Sequence, residues 1–455
     1  MTAAPRLSLC MIVKDEEAHL EACLQSVMGW VDEAIVVDTG SQDGTVALAQ
    51  AQGAQVYHYP WPGDFATARN WALERVTGDW VLVLDADETF VPEQVQPLRQ
   101  LLTQETALVI TVLRQEVGAA QSPYSRLSRI FRRHPQVRFA RPYHALIDDS
   151  VLALRAREPQ WQVLALPEVA LMHWGYGPET IAARHKADRA RAAMETYLAT
   201  HPNDPYTCAK LGALYGSLGD WPRGQALLHQ GLQHLQASQQ PQAPQQPQAP
   251  QQPQAPQQPE KPPSPSSQQH RAADPDSPAI SPEIALEIAP VSPEIAYELH
   301  YHLGIAASHL GDAEAATAHY EAALNQAVDD RLKLGACNNL GSLLLNQGQA
   351  ELAQLVFEQS LDWDPQFALG YYNLGLAKKA QGDLTGAIVA YQTALRYNPD
   401  HAASYQNLGV LFLKRGQVRE SVAMFQRAIG LHHHQGNPIE AQRLQQTLQD
   451  LGLKV

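Results

Sequence analysis

The chain has 455 residues, of which 45% are hydrophobic, so it is long enough for two or three domains and apolar enough to fold. Its formal net charge is −14 with no long basic run to offset it, which disfavours nucleic-acid binding through phosphates. The apolar stretch at residues 7–13 is too short for a signal peptide or a membrane span, so we expect a cytoplasmic protein without a transmembrane segment, with peripheral contact at the inner membrane face left open.

The first part of the chain alternates strand and helix signals, which favours an α/β sheet with parallel strands. Ser41 can cap the helix after the second strand, and Asp43-Gly44 can form a turn near the start of that helix. Ligands bind beyond the carboxyl ends of the strands in such sheets, and acidic residues follow several of them here. In chain order, the predictions are strand 7–13, helix 18–28, strand 34–38, a helix from Thr39 to Gly53, strand 56–59, helix 65–76, and strands 80–85 and 107–113.

Two carboxylates, Asp85 and Asp87, follow a strand made entirely of apolar residues. Hard oxygen ligands in this arrangement suit Mg²⁺ or Mn²⁺, which keep further positions for water and phosphate oxygens. A divalent ion there would neutralise charge on a diphosphate as it departs. Asp-x-Asp alone is a weak signal, but its place after a buried strand predicts a metal-dependent nucleotide site.

Four motifs, in the order in which they occur along the chain, resemble those of family-two glycosyltransferases. The resemblance is close over the first ninety residues and looser to about residue 200. The resemblance implies a GT-A fold, which is a Rossmann-like α/β domain. It also implies a nucleotide-diphosphate sugar donor, most simply a UDP-sugar, together with a divalent metal and inversion at the anomeric carbon. The motifs are LCMIVKDEE at residues 9–17, IVVDTGSQDGT at 35–45, ARNWAL at 68–73 and GDWVLVLDADE at 78–88.

The resemblance also assigns roles to single residues. Glu16 and Asp38 are expected to contact the nucleoside, and Arg69 the donor nucleotide or its diphosphate. Asp85 is expected to contact the donor ribose or sugar, and Asp87 is expected to be the direct metal ligand. The segment MHWGY at residues 172–176 resembles an element that closes the domain, in which His173 would complete the metal shell. A buried, hydrogen-bonded histidine is the alternative for His173.

The catalytic base is less defined, because inverting transfer needs a group that takes a proton from the acceptor. Residues 137–148 look like a family stretch that usually reads His-Glu, but the glutamate position is Ala145. Asp148, Asp149 and His144 are the nearby candidates, each with a structural role as the alternative. A local cluster of arginines faces either an anionic ligand or solvent: Arg126, Arg129, Arg132, Arg133, Arg138 and Arg141.

The second half of the chain repeats the pair Leu-Gly, followed each time by a glycine seven residues later. The later repeats are spaced by 34 residues and resemble tetratricopeptide repeats, each an antiparallel helix pair that would form an all-α solenoid. The predicted domains are a glycosyltransferase domain at residues 1–200, a first repeat at 204–236, a disordered Gln/Pro-rich linker at 237–293, repeats at 294–436 and a capping helix at 437–455.

The four cysteines, Cys10, Cys23, Cys208 and Cys337, have no C-x-x-C spacing, so we expect reduced, buried thiols. The sequence as a whole predicts a hexosyl- or N-acetylhexosaminyl-transferase that uses Mn²⁺ or Mg²⁺. Its partners would be a nucleotide-sugar donor and a protein, peptide or glycan acceptor, and the repeats leave a homodimer open. A repeat scaffold with a degenerate transferase domain is the alternative, favoured by Ala145. A nucleotidyltransferase ranks third.

Overall fold

The computed structural model describes residues 4–119, 121–174, 180–239 and 293–453. The predicted Gln/Pro-rich linker therefore lies almost wholly outside the described residues. All four cysteines are buried and free, as predicted. Among the described residues, no helix combines the length and the apolar character that a membrane crossing requires.

Within the described residues, eight strands form one sheet in the order β3-β2-β1-β4-β7-β6-β8-β5. The strands β1 to β4 are parallel neighbours, as are β6 and β8, whereas β7 and β5 run antiparallel to the strands beside them. The predicted parallel sheet is thus confirmed for its first four strands. The bounds are β1 (Leu7–Val13), β2 (Glu33–Asp38), β3 (Gln55–His58), β4 (Trp80–Val83), β5 (Glu88–Phe90), β6 (Ala107–Glu116), β7 (Tyr124–Arg132) and β8 (Gln162–His173).

The side chains of the sheet alternate between two hydrophobic cores, because successive residues of a strand point to opposite faces. Leu82 of β4 packs into one core, while its neighbours Val81 and Val83 pack into the other. Helices cover both faces: α1 (Leu20–Gln25), α2 (Thr45–Ala51), α3 (Phe65–Leu73), α4 (Val95–Leu102) and α5 (Asp148–Arg157).

The second helix begins at Thr45 rather than at Thr39. Aspartate side chains in this segment accept hydrogen bonds from nearby backbone N–H groups, which holds the chain before Thr45 in a loop. Asp38 Oδ1 accepts a hydrogen bond from Ser41 N at 3.0 Å, and Asp43 Oδ1 accepts one from Thr45 N at 3.0 Å. The prediction that Ser41 caps this helix is wrong. The N-cap residue is Gly44, and Ser41 Oγ instead accepts a hydrogen bond from Asp15 N at 2.9 Å.

The rest of the described chain is helical and forms the predicted repeats. The glycine that ends the first helix of a repeat has a positive φ, for example +82° at Gly311 and +86° at Gly382, a conformation that favours glycine. The bounds are α6 (Thr180–Thr200), α7 (Pro205–Ser217), α8 (Trp221–Gln239), α9 (Pro293–His309), α10 (Ala313–Leu324), α11 (Leu334–Asn346), α12 (Ala350–Trp363), α13 (Ala368–Ala380), α14 (Leu384–Tyr397), α15 (Ala402–Lys414), α16 (Val418–His434) and α17 (Pro438–Asp450).

The repeat array continues across the undescribed segment. Leu228 and Leu235 of α8 share one hydrophobic core with Leu299 and Leu303 of α9, so residues 240–292 are an insertion between the first and second repeats. Met194 of α6 packs in a cluster with residues of α7, so α6 contacts the first repeat.

Candidate active site

Asp85 and Asp87 lie in the turn between β4 and β5, with side chains 38% and 28% exposed. Two guanidinium groups bind Asp85: Arg69 Nη2 at 2.7 Å from Oδ1 and Arg129 Nη2 at 2.5 Å from Oδ2. Burial alone would raise the pKa of Asp85, but the charges of Arg129 and Arg69 hold it well below its ordinary range. Asp85 is therefore an ionised carboxylate held in one orientation.

Glu88 fixes the turn that carries both aspartates, although sequence reasoning did not assign it a role. Its side chain is fully buried, and its Oε2 accepts a hydrogen bond from Asp85 N at 2.9 Å. Its Oε1 accepts hydrogen bonds from Arg129 at 2.7 Å and from Arg114 at 2.6 Å. A buried carboxylate needs such partners, so the two arginines and the glutamate form one unit beneath the aspartates.

His173 ends β8, which runs between β5 and β6 and places this residue opposite Glu88 on one side and Glu116 on the other. Its Nε2 is 3.1 Å from Asp87 Oδ2, and its Nδ1 is 2.5 Å from Glu116 Oε2. Burial would lower the pKa of His173, but hydrogen bonds to Asp87 and Glu116 raise it to about 9. Burial would raise the pKa of Glu116, but His173 and Arg114 lower it to about 2.

Asp87 and His173 are the residues of this site that would hold a divalent cation. A carboxylate bound to one ring nitrogen of a histidine commonly orients the other nitrogen toward a metal, and here that nitrogen meets an aspartate oxygen. Among the described residues, no cluster of three or more His, Cys, Asp or Glu side chains is arranged to hold a metal ion. A cation held by these two residues would take its remaining ligands from water or phosphate oxygens, as Mg²⁺ usually does.

The two residues predicted at the nucleoside lie along the same edge of the sheet. Asp38 ends β2, and Glu16 follows β1, the strand between β2 and β4. Asp38 is only 5% exposed, and its oxygens accept hydrogen bonds from Gly40 N and Ser41 N and contact His58 Nδ1 at 3.2 Å. Asp38 thus shapes the loop after β2, and nucleoside contact by either acid stays a prediction.

The three candidate bases differ in their surroundings. Asp148, at the start of α5, accepts a hydrogen bond from Ser128 Oγ at 2.9 Å, and burial raises its pKa. Asp149 is bound by Arg141 at 2.5 Å. His144 is exposed and has a φ of +51°. Ala145 is 9% exposed and packs in the hydrophobic core, so its position offers no catalytic group.

A β-bulge in β7 brings Ser128 and Arg129 to the site. The pairing with β6 passes from Ile110–Ile130 to Val112–Leu127, so β7 has one residue more than β6 in this interval. Ile130 and Leu127 face the same core, which leaves Ser128 and Arg129 together between them. Ser128 then binds Asp148 while the adjacent Arg129 binds the acidic turn.

The arginine cluster predicted from the sequence does not form one surface. Arg129 lies in the site, whereas the others each bind a different part of the protein. Their partners are Asp329 for Arg126, the carbonyls of Gln104 and Ala107 for Arg132, the carbonyl of Gly78 for Arg133, the carbonyl of Val137 for Arg138, and Asp149 and Asp204 for Arg141.

Comparison with known proteins agrees with this architecture. The profile of glycosyl transferase family 2 matches residues 8–164, and tetratricopeptide profiles match residues 334–367, 377–416 and 401–434. A TPR repeat-containing protein of Synechococcus elongatus is 43% identical over 77% of this chain and 74% of its own length. An uncharacterized glycosyltransferase of Rickettsia felis is 27% identical over 39% of this chain and 66% of its own.

Among solved structures, the TPR protein YrrB aligns over 56% of this chain and 100% of its own, at 14% identity and a TM-score of 0.34. The motif order, the sheet with its acidic turn, the repeat array and the matching family profiles lead to one assignment. The chain carries a family 2 glycosyltransferase domain at residues 8–164, and this domain is joined to tetratricopeptide repeats.

Proposed function

We propose that the protein transfers a hexosyl or N-acetylhexosaminyl group from a nucleotide-diphosphate donor, most simply a UDP-sugar, with inversion and with Mn²⁺ or Mg²⁺. The acceptor would be a protein, a peptide or a glycan. The observation that carries the proposal is the approach of His173 Nε2 to Asp87 Oδ2 at 3.1 Å, with Glu116 on the other ring nitrogen. An inactive domain would not need these polar groups to converge on the turn between β4 and β5.

The donor would be bound beside the Asp85 turn. Asp87 and His173 would hold the cation, which when bound neutralises charge on the departing diphosphate. Arg69 and Arg129 keep Asp85 ionised and oriented toward the donor ribose or sugar.

Asp148 is the base that the surroundings favour. A raised pKa strengthens a carboxylate as a proton acceptor, and burial raises the pKa of Asp148, whereas Asp149 is tied to Arg141. In the transfer step, the acceptor hydroxyl attacks the anomeric carbon as the bond to the diphosphate breaks. The hydroxyl proton passes to Asp148.

The test is release of nucleoside diphosphate from a panel of UDP-, GDP- and dTDP-sugars, with Mn²⁺, Mg²⁺ or EDTA. Release from one donor that EDTA abolishes supports the proposal and identifies the sugar. Release of pyrophosphate instead indicates a nucleotidyltransferase. If no nucleoside diphosphate is released and calorimetry detects no metal-dependent donor binding, the proposal is wrong. A repeat scaffold with an inactive transferase domain is then favoured.

A further inference from the structure

Among the described residues, the first half of β7 has a paired strand on one side only. Residues 124–127 pair with β6, but the pairing of β7 with β4 covers only Ile130–Arg132. The bulge at Ser128 and Arg129 lies between these two parts. Because the strand is unpaired on one side just before the bulge, its position depends on what its side chains contact.

Those side chains contact the repeats at every second residue, as expected for one face of an extended chain. Ser122 Oγ lies 3.1 Å from Tyr301 Oη of α9. Tyr124 Oη donates a hydrogen bond to Asp364 Oδ2, just after α12, at 2.9 Å. Arg126 Nη2 donates to Asp329 Oδ2, between α10 and α11, at 2.5 Å. The next residue in this series, Ser128, binds Asp148.

The Arg126–Asp329 pair is enclosed, with side chains 7% and 16% exposed. Arg331, from the same short turn, binds Asp329 at 3.1 Å and also contacts the carbonyl of Pro167 and the carboxylate of Glu168 on β8. The turn at residues 329–331 therefore touches both β7, which carries Arg129, and β8, which carries His173.

We propose that Asp329 of the repeat array is a positioning residue for the donor site of the glycosyltransferase domain. The inference rests on the proposed function, since it concerns the same acidic turn. By holding Arg126, Asp329 fixes the strand that places Arg129 on Asp85 and Glu88. Loss of its charge leaves the Arg126 guanidinium enclosed without its anion, and the strand moves to expose it.

The test compares full-length wild type with Asp329→Asn, Asp329→Glu and Asp330→Asn. The last is a matched control, because Asp330 is the next residue in the chain, is 54% exposed and pairs with Lys333, outside the site, at 3.0 Å. We expect Asp329→Asn to raise the KM for the sugar-nucleotide donor by about 3- to 30-fold, the range for coupled networks. Asp329→Glu restores most of the affinity because it restores the charge, and Asp330→Asn leaves KM unchanged.

Hydrogen exchange of the same proteins without any donor separates this inference from the proposed function. Faster exchange in Asp329→Asn at residues 85–88 and 127–131, with wild-type exchange in the distant helices α15 and α16, supports positioning whether or not a donor has been identified. An unchanged donor KM, or wild-type exchange in both segments, overturns the inference even if the thermal midpoint falls. A wild type that binds no donor overturns the proposed function instead.

Discussion

His173 Nε2 lies 3.1 Å from Asp87 Oδ2, although the two residues are 86 positions apart in the chain. The sheet order explains the approach, because β5 follows the acidic turn directly and pairs antiparallel with the end of β8. Glu116 holds the other ring nitrogen from β6 on the opposite side. Three strands thus converge on one pair of candidate metal ligands.

Glu116→Gln is expected to weaken binding of Mn²⁺ in the presence of nucleotide by about 10- to 100-fold, because the carboxylate orients the histidine and raises its basicity. Calorimetric titration of Mn²⁺ measures the change. Glu105→Gln, on an exposed residue, is the control and leaves the affinity as in wild type. Equal Mn²⁺ affinity in all three proteins would contradict the role given to Glu116.

Asp148→Asn is expected to lower kcat for transfer by about 100- to 10,000-fold while the donor KM stays near that of wild type, since it removes a general base without touching the donor. Asp149→Asn is the matched neighbour and lowers kcat far less. Steady-state kinetics with the identified donor distinguish the two. A large loss in Asp149→Asn with little loss in Asp148→Asn would reassign the base.

Asp204 joins the first repeat to the catalytic domain, because it caps α7 and also binds Arg141 at 2.8 Å. Burial would raise the pKa of Asp204, but Arg141 and Thr207 lower it below the ordinary value of 3.8. A lowered carboxyl pKa contributes stability that is fully present above 3.8 and is lost as pH falls through the folded-state pKa.

Asp204→Asn is therefore expected to lower the free energy of unfolding by about 2 kcal/mol at pH 7, with a smaller difference from wild type at pH 3. Urea unfolding at the two pH values measures this. Asp312→Asn is the control, because Asp312 caps α10 in the same way while exposed, and asparagine caps about as well as aspartate. A pH-independent deficit in Asp204→Asn would refute the charge argument.

Gly375→Ala is expected to destabilise the repeats by about 1 to 3 kcal/mol, because an added Cβ would lie 2.5 Å from the Tyr391 ring in the tightly packed helix pair. Gly430→Ala, in α16, is the matched control. Its Cβ would meet no atom within 4 Å, so the variant gains about 0.5 to 1 kcal/mol from helix propensity. Chemical denaturation that gave both variants the same sign would be inconsistent with this packing.

The parts that the sequence predicted well are those with a local signal. The buried strands β1, β2 and β4 consist mostly of apolar residues, and the repeats carry a glycine at a fixed step, which has a positive φ at the helix ends. By contrast, β7 reads YSRLSRIFR, in which the half-buried Ser125, Arg126 and Ser128 interrupt the apolar residues, so its pattern does not indicate a strand.

The network beneath the aspartates was missed for a related reason. Glu88, Arg114 and Glu116 meet only because β5, β6 and β8 are assembled in an order that no local pattern specifies. In the sequence, Arg129 is one of six clustered arginines with nothing to single it out. The bulge in β7 is the feature that places it in the site. The placement of Glu88 directly after the aspartates was the one signal that could have pointed to it.

The most direct test of metal-dependent sugar transfer is the Asp87→Asn variant. It is compared with wild type and with Asp362→Asn, which changes an exposed aspartate of the repeats. The measurement is nucleoside diphosphate release from the identified sugar donor with and without Mn²⁺. We expect metal-dependent release in wild type and Asp362→Asn, and a loss of at least about 100-fold in Asp87→Asn. Metal-dependent release at the wild-type rate in Asp87→Asn would contradict this expectation.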